Sequence, residues 1–182
     1  MQGLSDHGTH EAVYLPDGDG IGIELAADRP RDQWPDPMYT GGPAPLDLEA
    51  LLKTVEGEQP TTNVGEGLRM GHVHLNVGDI ADALAFYRDL LGFDEQANLG
   101  TAAFVSAGGY HHHVGMNVWK GQGVGAAPPH TIGLDHWTLE LPSAEDVAEV
   151  RARLESSGHA TEDFPGGFLV RDPWGIAVAF VS

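Results

Sequence analysis

The residues from 72 to 77 alternate strictly between polar and apolar side chains, which is the pattern of a half-buried β-strand. The polar face of this strand carries His72 and His74, while the apolar residues between them point to the opposite face. Asp79 then begins an amphipathic helix whose apolar residues repeat at helical spacing, and Gly92 ends it. A strand with an apolar back for its own helix and a histidine-bearing front is half of a cupped metal site.

The same unit recurs further along the chain. Residues 135–141 alternate in the same way with His136 on the polar face, and Ser143 caps the next helix. The sequence therefore predicts an α+β fold in which paired βαβββ modules, 71–118 and 134–182, form a cupped mixed sheet. The remaining elements are predicted as a helix over 144–157 and as strands near 93–97, 102–106, 111–116, 159–163, 168–171 and 176–181.

A second internal likeness lies at the beginning of the chain. Residues 11–25 predict a strand pair around a turn at residues 17–20. When shifted by 155 positions this segment lies over residues 166–180, and the aspartate and glycine of its turn match Asp172 and Gly175. The segment therefore resembles the tail of a module.

These patterns divide the chain into three parts. Residues 1–25 are predicted to form an N-terminal β-hairpin, the remnant of a preceding module, and residues 71–182 to form the domain of two modules. Residues 26–70 are a Pro-rich connector with one short helix that begins at Asp47.

The composition restricts the classes of partner and compartment that suit this chain. Its 182 residues carry a formal net charge of −18 and a pI near 4.6, which argues against a nucleic-acid or anionic-membrane partner. There is no cysteine, so disulfides and thiolate zinc sites are excluded. Neither a signal peptide nor an apolar run of membrane length is visible, and we expect a cytoplasmic protein.

Histidine is frequent, with ten residues against nine Lys plus Arg, and neutral imidazole is a common metal ligand. Two imidazoles and one carboxylate on one face, with open positions opposite, suit non-haem Fe(II) or Mn(II). A strand histidine more often has a structural or surface role, an interpretation weakened by the equivalent positions of His72 and His136. The run at 111–113 is either a polar loop edge or an adventitious metal-binding tract, and strand parity places His112 opposite its two neighbours.

The paired units open on His72 and His136, and the helix behind the first strand ends in Phe86-Tyr-Arg-Asp-Leu-Leu-Gly-Phe93. In these features the chain resembles the vicinal oxygen chelate superfamily. That group contains glyoxalases, extradiol ring-cleaving dioxygenases and bleomycin-resistance proteins. The likeness covers nearly the whole chain and is greatest to the C-terminal part of catechol 2,3-dioxygenase-like proteins. It rests on residues 106–113, 133–136 and 171–175, whereas residues 20–30 resemble the end of the N-terminal domain of those proteins.

Residues 7–24 follow the signature of extradiol dioxygenases, in which a histidine, an apolar-Tyr pair, an acidic turn and a glutamate occur at fixed spacing. The resemblance implies that Glu24 is a metal ligand and that Tyr14 and His7 bind substrate and oxygen beside the metal. Gly18 departs from the proline of the signature.

In the C-terminal part, the resemblance implies that His72 and His136 are the two imidazole ligands and that His112 is the acid/base histidine. Ala179 occupies the glutamate position of the second module, so this part has histidines without the carboxylate. We expect the N-terminal strand pair to dock on a sheet of its own chain or of a second copy. There Glu24 would either join the two histidines or be a solvated residue of a structural remnant.

The resemblance implies a metal-dependent extradiol-type dioxygenase that opens a small catechol-like aromatic diol with O₂. Fe(II) is the expected metal, and Mn(II) or another divalent metal is the alternative. We expect a homodimer and no nucleic-acid or membrane partner. Two other functions stay open, namely a non-enzymatic small-molecule (antibiotic) binding protein of the same fold and a glyoxalase-like lyase or isomerase.

Overall fold

The computed structural model describes residues 3–39, 41–63 and 65–182. The chain separates into two compact units, Met1–Met70 and Gly71–Ser182. Among the described residues, no helix combines the length and the apolar character that a membrane crossing requires.

The first unit contains a three-stranded antiparallel sheet with the order β1-β2-β3. Its strands are β1 (Gly3–Asp6), β2 (His10–Pro16) and β3 (Gly22–Asp28). The predicted N-terminal hairpin is confirmed as β2 and β3, and β1 is a third strand that the sequence pattern did not predict. The connection between β2 and β3 is closed by the Asp17 carboxylate, which accepts hydrogen bonds from the backbone N–H groups of Asp19 and Ile21.

The connector of the first unit contains little regular structure. A 3₁₀ turn spans Arg31–Gln33, and the predicted short helix is present as α1 (Leu48–Lys53). The Asp47 side chain caps this helix by accepting a hydrogen bond from the Ala50 N–H. Helix α1 buries none of its residues, and its leucines are at best half-buried.

The first module of the second unit follows the predicted βαβββ order. It contains β4 (Val73–Asn76), α2 (Ile80–Leu84, continued by a π-helical turn over Ala85–Leu90), β5 (Asp94–Asn98), β6 (Ala102–Ser106) and β7 (Val114–Asn117). The sheet order is β4-β7-β6-β5, with β4 parallel to β7 and the other pairs antiparallel.

The last strand of this module begins later than predicted, at Val114 rather than at residue 111. The preceding segment turns at Gly108 and Gly109, both with positive φ, and the Ser106 hydroxyl bonds to the Tyr110 carbonyl across the turn. The strand-parity argument that separated His112 from its neighbours therefore does not apply, because these residues lie outside the strand.

The second module repeats this topology. It contains β8 (His136–Glu140), α3 (Ala144–Ser156), β9 (Thr161–Phe164), β10 (Gly167–Arg171) and β11 (Ala177–Val181), in the sheet order β8-β11-β10-β9. The predicted α+β class with two βαβββ modules and mixed sheets is confirmed. Backbone hydrogen bonds define two separate four-stranded sheets, one in each module.

The apolar backs of both sheets and the buried faces of α2 and α3 form one hydrophobic core. Residues of both modules contribute to it, as shown by the aromatic contact between Tyr87 and Trp137, whose ring centroids are 6.4 Å apart. Each module contributes only a single sheet and one helix, so neither could exclude water from its apolar face without the other.

A buried polar contact crosses this core. The Tyr87 hydroxyl donates to Asp172 Oδ2 at 3.0 Å, and Asp172 Oδ1 accepts from the backbone N–H groups of Trp174 and Ile176. Tyr87 is fully buried and Asp172 is 5% exposed. Burial raises the pKa of Asp172 above its ordinary value, and the hydrogen bonds to the carboxylate offset part of that rise.

The raised pKa of Asp172 predicts a pH-dependent contribution to stability. A carboxyl group whose folded-state pKa lies above its unfolded value stabilises the fold most below the unfolded pKa, here 3.8, and loses that contribution as pH rises through the folded pKa. We expect the unfolding free energy of wild type, relative to Asp172→Asn, to fall as pH rises from about 4 to neutrality.

Urea unfolding of both proteins across this pH range measures the difference. The exposed Asp94→Asn provides the matched control and should show no such loss relative to wild type. A constant difference between wild type and Asp172→Asn would contradict the expectation.

Candidate metal centre

The turn between β1 and β2 brings two histidines together. Gly8 has a φ of 77° and its N–H donates to Asp6 Oδ1, while the His7 N–H donates to the His10 carbonyl. This tight connection stacks the two imidazole rings with their centroids 4.5 Å apart and their planes 13° from parallel. A larger residue at Gly8 would be strained at this positive φ, so the turn depends on glycine.

Glu24 reaches the histidines from the neighbouring strand. In the register of β2 and β3, Glu24 lies opposite Tyr14, and His10 lies opposite Asp28, about 13 Å further along the strand. The pair between them is Ala12 and Ala26, whose small side chains leave room for long ones to cross above the sheet. His10 Nε2 and Glu24 Oε1 therefore approach to 3.2 Å.

The hydrogen bonds define which atoms carry protons. An ionised Glu24 can only accept, so in the neutral imidazole His10 Nε2 holds the proton and donates it to Glu24 Oε1. The Tyr14 hydroxyl also donates to Glu24 Oε1, at 3.0 Å, and accepts from His7 Nε2 at 2.8 Å. His10 Nδ1 is then an acceptor for the Thr9 hydroxyl at 2.9 Å.

The surroundings keep Tyr14 protonated. Burial raises the pKa of Tyr14 above its ordinary value, and the Glu24 charge and the hydrogen bond to Glu24 raise it further. The phenol is therefore a hydrogen-bond donor throughout the neutral range. His10 itself is 2% exposed, whereas His7, Tyr14 and Glu24 are half-buried.

Three side chains of this cluster could hold a metal ion. His7, His10 and Glu24 each offer a ligand atom, and these atoms lie within 4.8 Å of one another. Bonds of about 2.0 to 2.2 Å would place two ligand atoms at most about 4.4 Å apart, so small side-chain shifts would close the site. Two imidazoles and one carboxylate are donors suited to Fe(II), Mn(II) or Zn(II).

The structure brings together three of the predicted site residues, Glu24, Tyr14 and His7, and adds His10, which the sequence analysis missed. The signal for His10 was present in the sequence. It stands three residues after His7 across a glycine, and alternation along β2 places it on the same face as Tyr14.

The histidines predicted in the second unit have other contacts. His112 is buried, its Nδ1 lies 2.9 Å from His111 Nδ1, and its ring centroid lies 4.2 Å from that of His72. One of the two Nδ1 atoms must donate to the other, so His111 and His112 cannot both be protonated there. His136 Nδ1 bonds to the Asp135 carboxylate at 2.9 Å, and its ring packs against Phe164.

Within residues 71–182, no three His, Asp or Glu side chains bring ligand atoms within 4.8 Å of one another. The position predicted for the carboxylate is the fully buried Ala179. The ligand role of His72 and His136 and the acid/base role of His112 therefore stay predictions.

The duplicated βαβββ module, with parallel pairing of the first and last strands in each copy, defines an α+β class of domain that is assembled from two equivalent halves. The family model that matches residues 69–180 is that of the Glyoxalase/Bleomycin resistance protein/Dioxygenase superfamily. The chain belongs to that superfamily.

A protein named catechol-2,3-dioxygenase from Bacillus subtilis (strain 168) is 42% identical over 176 residues, which cover 94% of this chain and 61% of that protein. The chain therefore spans about three fifths of the length of this curated relative. A crystal structure of a glyoxalase/dioxygenase from Nostoc punctiforme matches 67% of this chain and 97% of its own, with a TM-score of 0.52 and 15% identity.

A structure described as a possible glyoxalase from Bacillus cereus matches 64% of this chain and 100% of its own, with a TM-score of 0.50 and 18% identity. At such identities both solved structures support the fold alone.

The shared acceptor predicts energetic coupling between Tyr14 and Glu24. A hydrogen bond to a charged group contributes about 1.5 to 3 kcal/mol, and the partial exposure of Glu24 reduces that. We expect a double-mutant cycle of Tyr14→Phe and Glu24→Gln, measured by urea unfolding, to give a coupling energy of about 1 kcal/mol.

Tyr14→Phe with the exposed Glu140→Gln forms the control cycle, which should give additive effects. Additivity in the Tyr14 and Glu24 cycle itself would show that the contact contributes nothing to stability.

Proposed function

We propose that this chain contributes the metal-binding part of an extradiol-type ring-cleaving dioxygenase, which acts on a catechol-like aromatic diol with O₂. The observation that supports the proposal most is the cluster of His7, His10 and Glu24 with the Tyr14 hydroxyl beside it. The reaction class is supported by the relative named catechol-2,3-dioxygenase, which is 42% identical over nearly the whole chain.

In this proposal Glu24, His10 and His7 hold the metal, with Fe(II) preferred and Mn(II) as the alternative. The donor set agrees with either ion, because both accept imidazole and carboxylate ligands. A bound ion of this kind would supply adjacent coordination positions for the diol and O₂ and a path for electrons between them.

The side chains around the cluster would orient the diol and keep water away from the reacting groups. The Tyr14 phenol stays protonated, so its hydroxyl can donate a hydrogen bond to an anionic diol oxygen beside Glu24. His7 could bind the ion through Nδ1 and still donate from Nε2 to Tyr14, whereas binding through Nε2 would end that hydrogen bond. Low exposure around His10 would keep bulk water away from reactive oxygen species.

The sequence-based site stays an alternative within the same function. It uses Glu24 with His72 and His136 as ligands and His112 as the acid/base group. In that site His112, which is buried with its Nδ1 hydrogen-bonded to His111, would give and take the proton. The two ligand sets share Glu24 and differ in every histidine.

Metal titration separates the two ligand sets. We expect His10→Ala and Glu24→Gln to lower the affinity for Mn(II), measured by calorimetry, by more than about 100-fold, since loss of a ligand should exceed loss of its hydrogen-bonding partner. His72→Ala and His136→Ala should bind as tightly as wild type.

His130→Asn, at an exposed loop position with a φ of 65° that asparagine tolerates, is the control for loss of one imidazole. A loss of affinity in His72→Ala and His136→Ala, with none in His10→Ala, would support the sequence-based site instead.

Turnover tests the reaction class. Protein loaded with Fe(II) should consume O₂ with catechol and form a yellow ring-opened product. Tyr14→Phe and His112→Ala should lower turnover by about 10²- to 10⁴-fold if each moves or holds a proton, with iron content unchanged. Equal losses of iron and turnover would make the altered residue a ligand or a structural group.

A metal-free binding function is the second candidate for the second unit. It is favoured by the absence of any close group of three ligands within residues 71–182. Binding of an aromatic ligand that persists in chelated protein and in Glu24→Gln, without turnover of catechol, would support this function over the dioxygenase.

A further inference from the structure

Thr9 lies beside the proposed metal ligand His10 and is held firmly. Its side chain is 3% exposed, and its carbonyl accepts a hydrogen bond from the Arg29 N–H at 2.9 Å, just beyond the end of β3. The Arg29 guanidinium itself forms ion pairs with Asp6 and Glu11, which link the three strands at this end of the sheet. The Thr9 hydroxyl lies 2.9 Å from His10 Nδ1.

The protonation of His10 must differ between the metal-free and the metal-bound states. Without a metal, Glu24 accepts the proton on Nε2, and Nδ1 is an acceptor for the Thr9 hydroxyl. A metal held between Glu24 and Nε2 needs the lone pair of Nε2. The proton of the neutral ring then resides on Nδ1, and the group facing Nδ1 must accept it.

A hydroxyl group can either donate a hydrogen bond to Nδ1 or accept one from it, because the hydroxyl rotates. A carbonyl can only accept, and an ammonium can only donate. We propose that Thr9 is a positioning residue that allows His10 to exchange its tautomer when a metal binds. Nε2 loses its proton, Nδ1 gains one, and the Thr9 hydroxyl reverses from donor to acceptor, so the ring stays neutral. The inference rests on the proposed function, because it requires His10 to be a ligand through Nε2.

Thr9→Val tests this inference, since valine keeps the size and the branching of threonine and removes the hydroxyl. Thr9→Ser restores a hydroxyl that can rotate and is the rescue variant. Zn²⁺ is the probe, because it is diamagnetic and binds imidazole and carboxylate ligands. The nitrogen chemical shifts of the His10 ring, measured by NMR with and without the metal at one fixed pH, report the tautomer directly.

In wild type and in Thr9→Ser we expect the Nε2–H tautomer without metal and the Nδ1–H tautomer with Zn²⁺. In Thr9→Val, Zn²⁺ affinity should fall by about 10- to 100-fold, the effect typical of losing a hydrogen-bonding partner of a ligand. If Thr9→Val does not fold, Thr9→Ala replaces it, with the same expected loss of affinity.

Two outcomes would overturn the inference. Failure of wild type to bind Zn²⁺ would remove the proposed metal centre and the role of Thr9 with it. Binding by wild type with equal affinity in Thr9→Val, or with no change of the His10 tautomer, would remove the role of Thr9 and leave the proposed metal centre intact.

Discussion

The carboxylate of Glu24 is the interaction on which the polar cluster of the first unit depends. A half-buried anion must find donors, and here two of them, the Tyr14 hydroxyl and His10 Nε2, converge on one oxygen. The donors themselves are then oriented, since the phenol takes its other bond from His7 and the imidazole takes its other bond from Thr9. One charge thus organises four neighbouring side chains before any metal is present.

Most of the second unit could be predicted from periodicity. Strand β6 and helix α3 were located within one residue of their observed bounds, because a short apolar run marks the strand and a capping serine marks the start of the helix. Strand β7 was predicted to begin three residues too early. Residues His111–His113 show no polar–apolar alternation, and they follow a turn at two glycines with positive φ rather than continuing a strand. The π-helical turn within Ala85–Leu90 has no counterpart in a pattern of helical spacing.

The candidate site was predictable only in part, for a geometric reason. Motif spacing identified Glu24, Tyr14 and His7, which all belong to one signature. His10 approaches Glu24 because two alanines lie between them in the strand register and because a turn stacks it on His7. Such approach depends on side-chain length and turn geometry, which alternation does not encode. For the same reason, the pattern placed His72 and His136 on equivalent faces without determining the distance between them.

The turns at Asp17 and Asp172 have the same hydrogen-bond pattern. In each, the aspartate carboxylate accepts hydrogen bonds from the backbone N–H groups two and four residues later. One turn is exposed to water and the other is buried against Tyr87, so the loop does not need a particular environment. Four residues beyond the glycine of each turn, one copy carries Glu24 and the other the core residue Ala179. Both copies therefore keep the same backbone turn, whereas the side chain four residues beyond its glycine differs. Whether a copy can offer a carboxylate to a metal thus depends on one position, which can change without altering the turn.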